Sequence, residues 1–272
     1  MSALTGGSRR GSFLTTESRV TFGGVLRSEW IKLWSLRSTV WSFALFIALT
    51  LGLCVTVGLV ISQPDDPANQ TFANLTATNA ATLAVMANQL VVAVLGVLFI
   101  SGEYATGQIR STFTVVPGRT AVPLAKAVVF AVSTFVLSLG AMVGAYFVNT
   151  PLLARVGIHT SILAPEVGLP FIGAALFLTT IGLISLGIGA IFRSTAVGLC
   201  ASLGLILVVP SMLTIIGAGW SLAIKPWLPS VAGMRLFLTT GQLDYISAIL
   251  VMLGWVAVFL AVATLLLKRR DA

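Results

Sequence analysis

Gly102-Glu103-Tyr104-Ala105-Thr106-Gly107-Gln108-Ile109-Arg110-Ser111-Thr112-Phe113-Thr114-Val115-Val116-Pro117-Gly118-Arg119 is a charged, turn-bounded interruption between two apolar runs, each long enough to cross a bilayer. Within it Ile109, Phe113 and Val116 recur at i, i+4 and i+7, the spacing of a short one-sided helix, and Gln108, Arg110 and Thr112 lie off that stripe. Pro117-Gly118 supplies a stop. Two readings fit this spacing: a cytoplasmic loop whose arginines keep it on the inner side, or a docking element that takes force from a soluble partner. Glu103, where the second apolar run ends, has four readings. It caps the following helix, pairs with Arg110, pairs with a basic group on a partner, or is a simple interfacial carboxylate.

Outward from this stretch, the composition sets the class. Of 272 residues, 57% are hydrophobic and 9% charged, against about 25% charged in ordinary soluble domains. The expected fold is an all-α integral membrane protein with six transmembrane helices. Their approximate bounds are 40–61, 80–101, 122–148, 170–191, 195–216 and 245–267. Pro210 predicts a kink in the fifth. Gly182, Ser185, Gly187 and Gly189 offer close packing on the fourth, and Gly140 and Gly144 form a GxxxG pair on the third. Phe192-Arg193-Ser194 is so short a turn that spans four and five must be antiparallel neighbours. Asn149-Thr150-Pro151 is read as opening a loop, and Pro170 as sitting in the first turn of the fourth span.

Ahead of the first span, Val20 to Arg37 reads as an amphipathic helix. Phe22, Val25, Leu26, Trp30, Leu33 and Trp34 recur at steps of three and four, with Arg27, Glu29, Lys32 and Arg37 elsewhere. Tryptophans such as Trp30 and Trp34 suit headgroup depth, and basic side chains suit lipid phosphates. The resulting division is a flexible tail (1–19), an interfacial helix (20–39), a six-helix membrane domain (40–267) and a basic tail (268–272). Residues 217–244, with Trp220, Lys225-Pro226-Trp227 and Leu228-Pro229, are too apolar for a water-washed loop and too broken for two more spans, so short outer helices are expected there.

Charge follows this topology. With the N-terminus inside, all but Arg155, Lys225 and Arg235 of the 16 Lys and Arg fall on the inner side, so both termini are expected in the cytoplasm. The net charge of +8 then faces anionic lipid rather than nucleic acid. Lys126, near the start of span three, is read as an anchor that snorkels to inner headgroups.

Chemistry is sparse. Cys54 and Cys200 lie in apolar runs, which implies neither a disulfide framework nor a metal site, and the single histidine, His159, rules out a multi-histidine metal centre. Asn69-Gln70-Thr71 and Asn74-Leu75-Thr76 match the glycosylation pattern, with nothing else to indicate its use. There is no GxxxxGK[ST] loop, GxSxG elbow or HExxH pair, so no catalytic residue and no cofactor of its own is expected. Span interiors nearly free of ionisable groups disfavour an ion-coupled carrier. A secondary carrier and a non-transporting scaffold remain the rival classes.

Arg27-Ser28-Glu29-Trp30-Ile31-Lys32-Leu33, Gly102 to Arg110, and Val116-Pro117-Gly118-Arg119 together resemble the actinobacterial-type ABC-2 permeases. The resemblance implies the membrane subunit of an exporter in a bacterial cell membrane. Two permease copies, identical or homologous, would work with separate cytoplasmic ATPase subunits that bind ATP and magnesium. It assigns Arg27, Glu29, Trp30 and Lys32 to the interfacial element, with Trp34 beside them. Glu103, Tyr104, Thr106, Gly107, Ile109, Arg110 and Pro117 match the coupling segment, and Phe113 shares the stripe of Ile109. Gln108 and Gly118 depart from the familiar pattern. Relatives export drugs, antibiotics, peptides or lipid-linked molecules, so a hydrophobic or amphiphilic cargo is implied.

Overall fold

Runs of 20 or more apolar residues bury their backbone polar groups only by closing every hydrogen bond internally, and helices are the result. The computed structural model describes residues 21–62, 82–105, 121–155, 161–162, 165–238 and 244–269. Among them six helices are long and apolar enough to cross a membrane, as in a multi-pass membrane protein.

A preceding helix, α1 (Phe22–Ser35), is capped by the Thr21 hydroxyl, which accepts from the Gly24 N–H at 3.3 Å. One extended residue, Leu36, separates it from α2 (Arg37–Ile61). Then come α3 (Val85–Ala105), α4 (Ala121–Ala154) and α5 (Pro165–Phe192). The fifth span comprises α6 (Thr195–Leu203), a π-helical turn (Gly204–Val208) and α7 (Val209–Ile216). Short α8 (Gly219–Ile224), a 3₁₀ turn (Lys225–Trp227) and α9 (Pro229–Met234) lead to α10 (Tyr245–Arg269).

The centre of the bundle is α5. Its membrane window is 83% buried, against 11% for the fifth span. It packs most extensively on α3 and also meets α4, α10 and α6. The expected small-residue packing is present: a Cβ on Gly187 would meet Phe259, and one on Gly189 would meet Val97 and Ile100. Ser185 and Ser202 hydroxyls, 2.6 Å apart, join α5 to α6. Gly140 and Gly144 are different, since a Cβ on either would meet nothing within 4 Å.

Prolines account for most of the boundary differences. Helix α4 continues past Asn149-Thr150-Pro151 to Ala154. Pro151 stands on the exposed side while Asn149 and Leu153 pack inward, so burial outweighs one forfeited backbone hydrogen bond. Helix α5 begins at Pro165 and carries Pro170 inside it. Pro210 does break the fifth span, and the break takes the form of the π turn just before it. The wider turn makes room for a residue with no N–H and a ring that crowds the preceding turn. Helix α3 runs through Gly102-Glu103-Tyr104, so these residues belong to the last turn of the second span rather than to the interruption after it.

Candidate functional site

Helix α1 turns Val25, Glu29 and Leu33 inward at four-residue steps, and exposes Arg27, Trp30, Ile31 and Trp34. The expected stripe grouped Val25 and Leu33 with tryptophans at headgroup depth and left Glu29 off it; here Val25 and Leu33 share a buried face with Glu29, while Trp30 and Trp34 are exposed. Trp34 lies tilted against Phe43 of α2, ring centres 5.6 Å apart, with Trp30 at 6.1 Å beyond it.

Glu29 is drawn in because cations wait for it. Its Oε2 lies 2.7 Å from the Lys126 ammonium of α4 and its Oε1 2.9 Å from Lys32. Glu103 of α3 closes the figure, with Oε1 3.0 Å from Lys126 and 3.1 Å from Lys32. Two carboxylates and two ammoniums thus alternate in a closed ring joining α1, α3 and α4. Lys126 is only 1% exposed, and its Nζ stands 4.1 Å above the Phe99 ring.

Lys126 therefore does not snorkel to headgroups. Its charge is met by two carboxylates within the protein, a closer and less hydrated partnership than lipid phosphate would give. The ring as a whole is neutral, the condition under which four charges tolerate burial. For Glu29, burial pushes the carboxyl up, but Lys126 and then Lys32 outweigh it and hold the group below the ordinary carboxylate range. Burial likewise pulls Lys32 down, and Glu29 and Glu103 outweigh it, so its ammonium sits above the ordinary lysine range.

The same turn of α3 grips a third neighbour. Arg193, in the left-handed conformation (φ 52°) between α5 and α6, sets its guanidinium 5.5 Å from the Tyr104 ring centre. Thr195 donates to the Ser101 hydroxyl at 2.9 Å. Among the described residues, the Tyr104 hydroxyl and Arg193 Nη2 are buried without a hydrogen-bond partner. Ser101, Glu103 and Tyr104 thus bind one helical turn to α1, α4 and the α5–α6 corner, immediately before residues 106–120.

Of the sequence candidates, Glu29, Lys32 and Glu103 meet in the ring, and Tyr104 lies beside it. Arg27, Trp30 and Trp34 are on the opposite, outer face of α1. Thr106, Gly107, Ile109, Arg110, Phe113 and Pro117 fall outside the described residues, as do Asn69, Asn74 and His159. Lys126 and Arg193 were missed as site residues. The signal for Lys126 was available: a lysine a short way into one apolar helix answers a glutamate at the end of the helix before it. No family model matches the chain, and no curated protein matches it.

Proposed function

We propose that this chain is the membrane-spanning subunit of an ATP-driven exporter of the ABC-2 type. The observation that carries the reading is the closed ring of Glu29, Lys32, Glu103 and Lys126 on the helical turn that enters residues 106–120. A partner ATPase that moves those residues pulls on Glu103, and through Glu103 on α1 and α4. Tyr104 and Ser101 carry the same displacement to the α5–α6 corner. ATP binding on the partner biases the spans between two packings, and re-pairing of the ring is the local event that accompanies the shift. ATP and magnesium stay on the partner. A second permease copy completes the path for a hydrophobic or amphiphilic cargo. The ring faces the cytoplasm, where the excess of Lys and Arg puts both termini.

Quantitative affinity purification of the tagged chain from its native membrane tests the partnership. Recovery of one ATPase per permease supports it. Recovery of intact chain without any ATPase, after cross-linking has excluded loss in detergent, moves the assignment to a scaffold or a gradient-driven carrier. Coupling is tested next, in proteoliposomes of the recovered complex. E103Q is expected to keep ATP hydrolysis while losing most transport, and unaltered transport would sink the assigned route.

A further inference from the structure

At the other end of the bundle lies a second polar group that the coupling reading does not use. Thr50, Cys54 and Gly58 follow at four-residue steps and share one face of α2. Asn88 of α3 and Asn149 of α4 face them, and all four side chains, Thr50, Cys54, Asn88 and Asn149, are 0% exposed. Asn88 Nδ2 donates to Thr50 Oγ1 at 2.7 Å, and Thr50 passes its own proton to the Phe46 carbonyl at 2.9 Å. The Cys54 thiol donates to the Ala145 carbonyl at 3.3 Å. It lies beside the Asn149 amide, which rests over Gly58 so closely that a Cβ there would strike Asn149 Oδ1.

This seam is not satisfied by its own members. Among the described residues, Asn88 Oδ1 and both amide atoms of Asn149 have no hydrogen-bond partner. An amide differs here from the hydroxyls of Thr50 and Thr56, which return a proton to their own helix at Phe46 and Gly52. A planar amide offers two donors and two acceptor lone pairs in fixed directions. Inside a membrane, where lipid supplies no partner, such groups must be met from within.

We propose that the α2–α3–α4 seam is a buried water-binding site, with Asn149 and Asn88 as its principal ligands. The chemistry selects water over an ion. The set is neutral, and it presents unpaired donors and acceptors together, which matches a molecule that both gives and takes hydrogen bonds. A bare cation needs several oxygens and is repelled by the Asn149 donors, while an anion would find no positive charge. From Thr50 to Gly58 the seam spans about 12 Å of the half of α2 that points away from the charged ring. Water bound along it lets α2 exchange partners on α3 and α4 without exposing a polar group to lipid.

Water-edited NMR on full-length protein in lipid bilayers, ¹⁵N-labelled at asparagine side chains and methyl-labelled at leucine, tests this directly. Substitutions N88L and N149L assign the two amide signals. Transfer of water magnetisation to both amides roughly tenfold faster than to the buried Leu178 methyls is the expected result. Transfer no faster than to Leu178 overturns the site. Should an assignment variant fail to fold, C200S leaves Cys54 as the sole thiol, and its S–H infrared band is followed in deuterated buffer. Exchange to S–D within an hour of transfer to deuterated buffer supports a hydrated seam, and an S–H band that persists beyond that in folded protein overturns it.

Discussion

Helix α3 makes two contacts of opposite kind. Toward α5 the two helices touch at glycines: a Cβ on Gly96 would strike the Gly182 carbonyl oxygen, and one on Gly182 would run into the side chains of Val92 on α3 and Phe130 on α4. Toward α1 and α4 the contact is the ring of four charges. Shape complementarity of the first sort has a single solution, because any added atom has nowhere to go. Ion pairs have several, because a carboxylate can leave one ammonium for another over a small displacement. The chain thus sets a fixed seam and a changeable one along the same stripe of one helix, Gly96 and Glu103 standing seven residues apart.

Removing Lys126 is the most severe way to break the contrast. K126M leaves Glu29 and Glu103 to share the single ammonium of Lys32 and is expected to cost about 3–5 kcal/mol of stability, read as thermal unfolding in detergent. A Tm within a degree of the parent would show that the ring is not held by charge. The fourfold exchange E29K/K32E/E103K/K126E sharpens the point, since it inverts every charge and keeps four that alternate. It is expected to recover at least half of what K126E alone loses, and no recovery would mean that shape, not charge, determines this joint.

G96A tests the fixed seam, with an expected loss of about 1–3 kcal/mol from overpacking. No partner substitution should rescue it, because Gly182 has no side chain to shorten. Acid provides a milder test of the ring. Because Glu29 titrates below its ordinary range, its contribution is fully present above the ordinary carboxylate pKa and is lost as pH falls through the depressed value. Lys32, held high, contributes fully below the ordinary lysine range and loses its share only as pH rises through the raised value. Docking of α1 should therefore hold across neutral pH and loosen in strong acid, followed by limited proteolysis near Leu36. Release on mild acidification instead would contradict the assigned pairing. C200S, at an exposed thiol, should change stability by less than about 0.5 kcal/mol.

The six spans were legible because bilayer crossing is a property of twenty consecutive residues, and no single misread position erases it. Pro210 was legible for a local reason, its missing donor. Pro151 and Pro170 misled because the same local reason was overruled by burial on the neighbouring faces, which a one-dimensional pattern does not contain. The ring was the least visible feature. Glu29, Lys32, Glu103 and Lys126 are scattered over nearly a hundred positions, and each alone reads as a surface charge at a membrane boundary. Only once α1 folds back against α3 and α4 do they become one another's solvent. The same docking turns Val25, Glu29 and Leu33 inward and leaves Trp30 and Trp34 on the exposed face of α1.

One dimension remains to be drawn out. Helix α4 holds 34 residues and so is about 51 Å long, where the hydrocarbon core is about 30 Å thick. The excess must emerge as a projecting end or be absorbed by tilt. The rod is unbroken from Lys126 to Asn149, so its two ends can move only together. A tilt of about 5 degrees about the charged end would carry Leu152 and Leu153, roughly 40 Å away, sideways by about 3 Å.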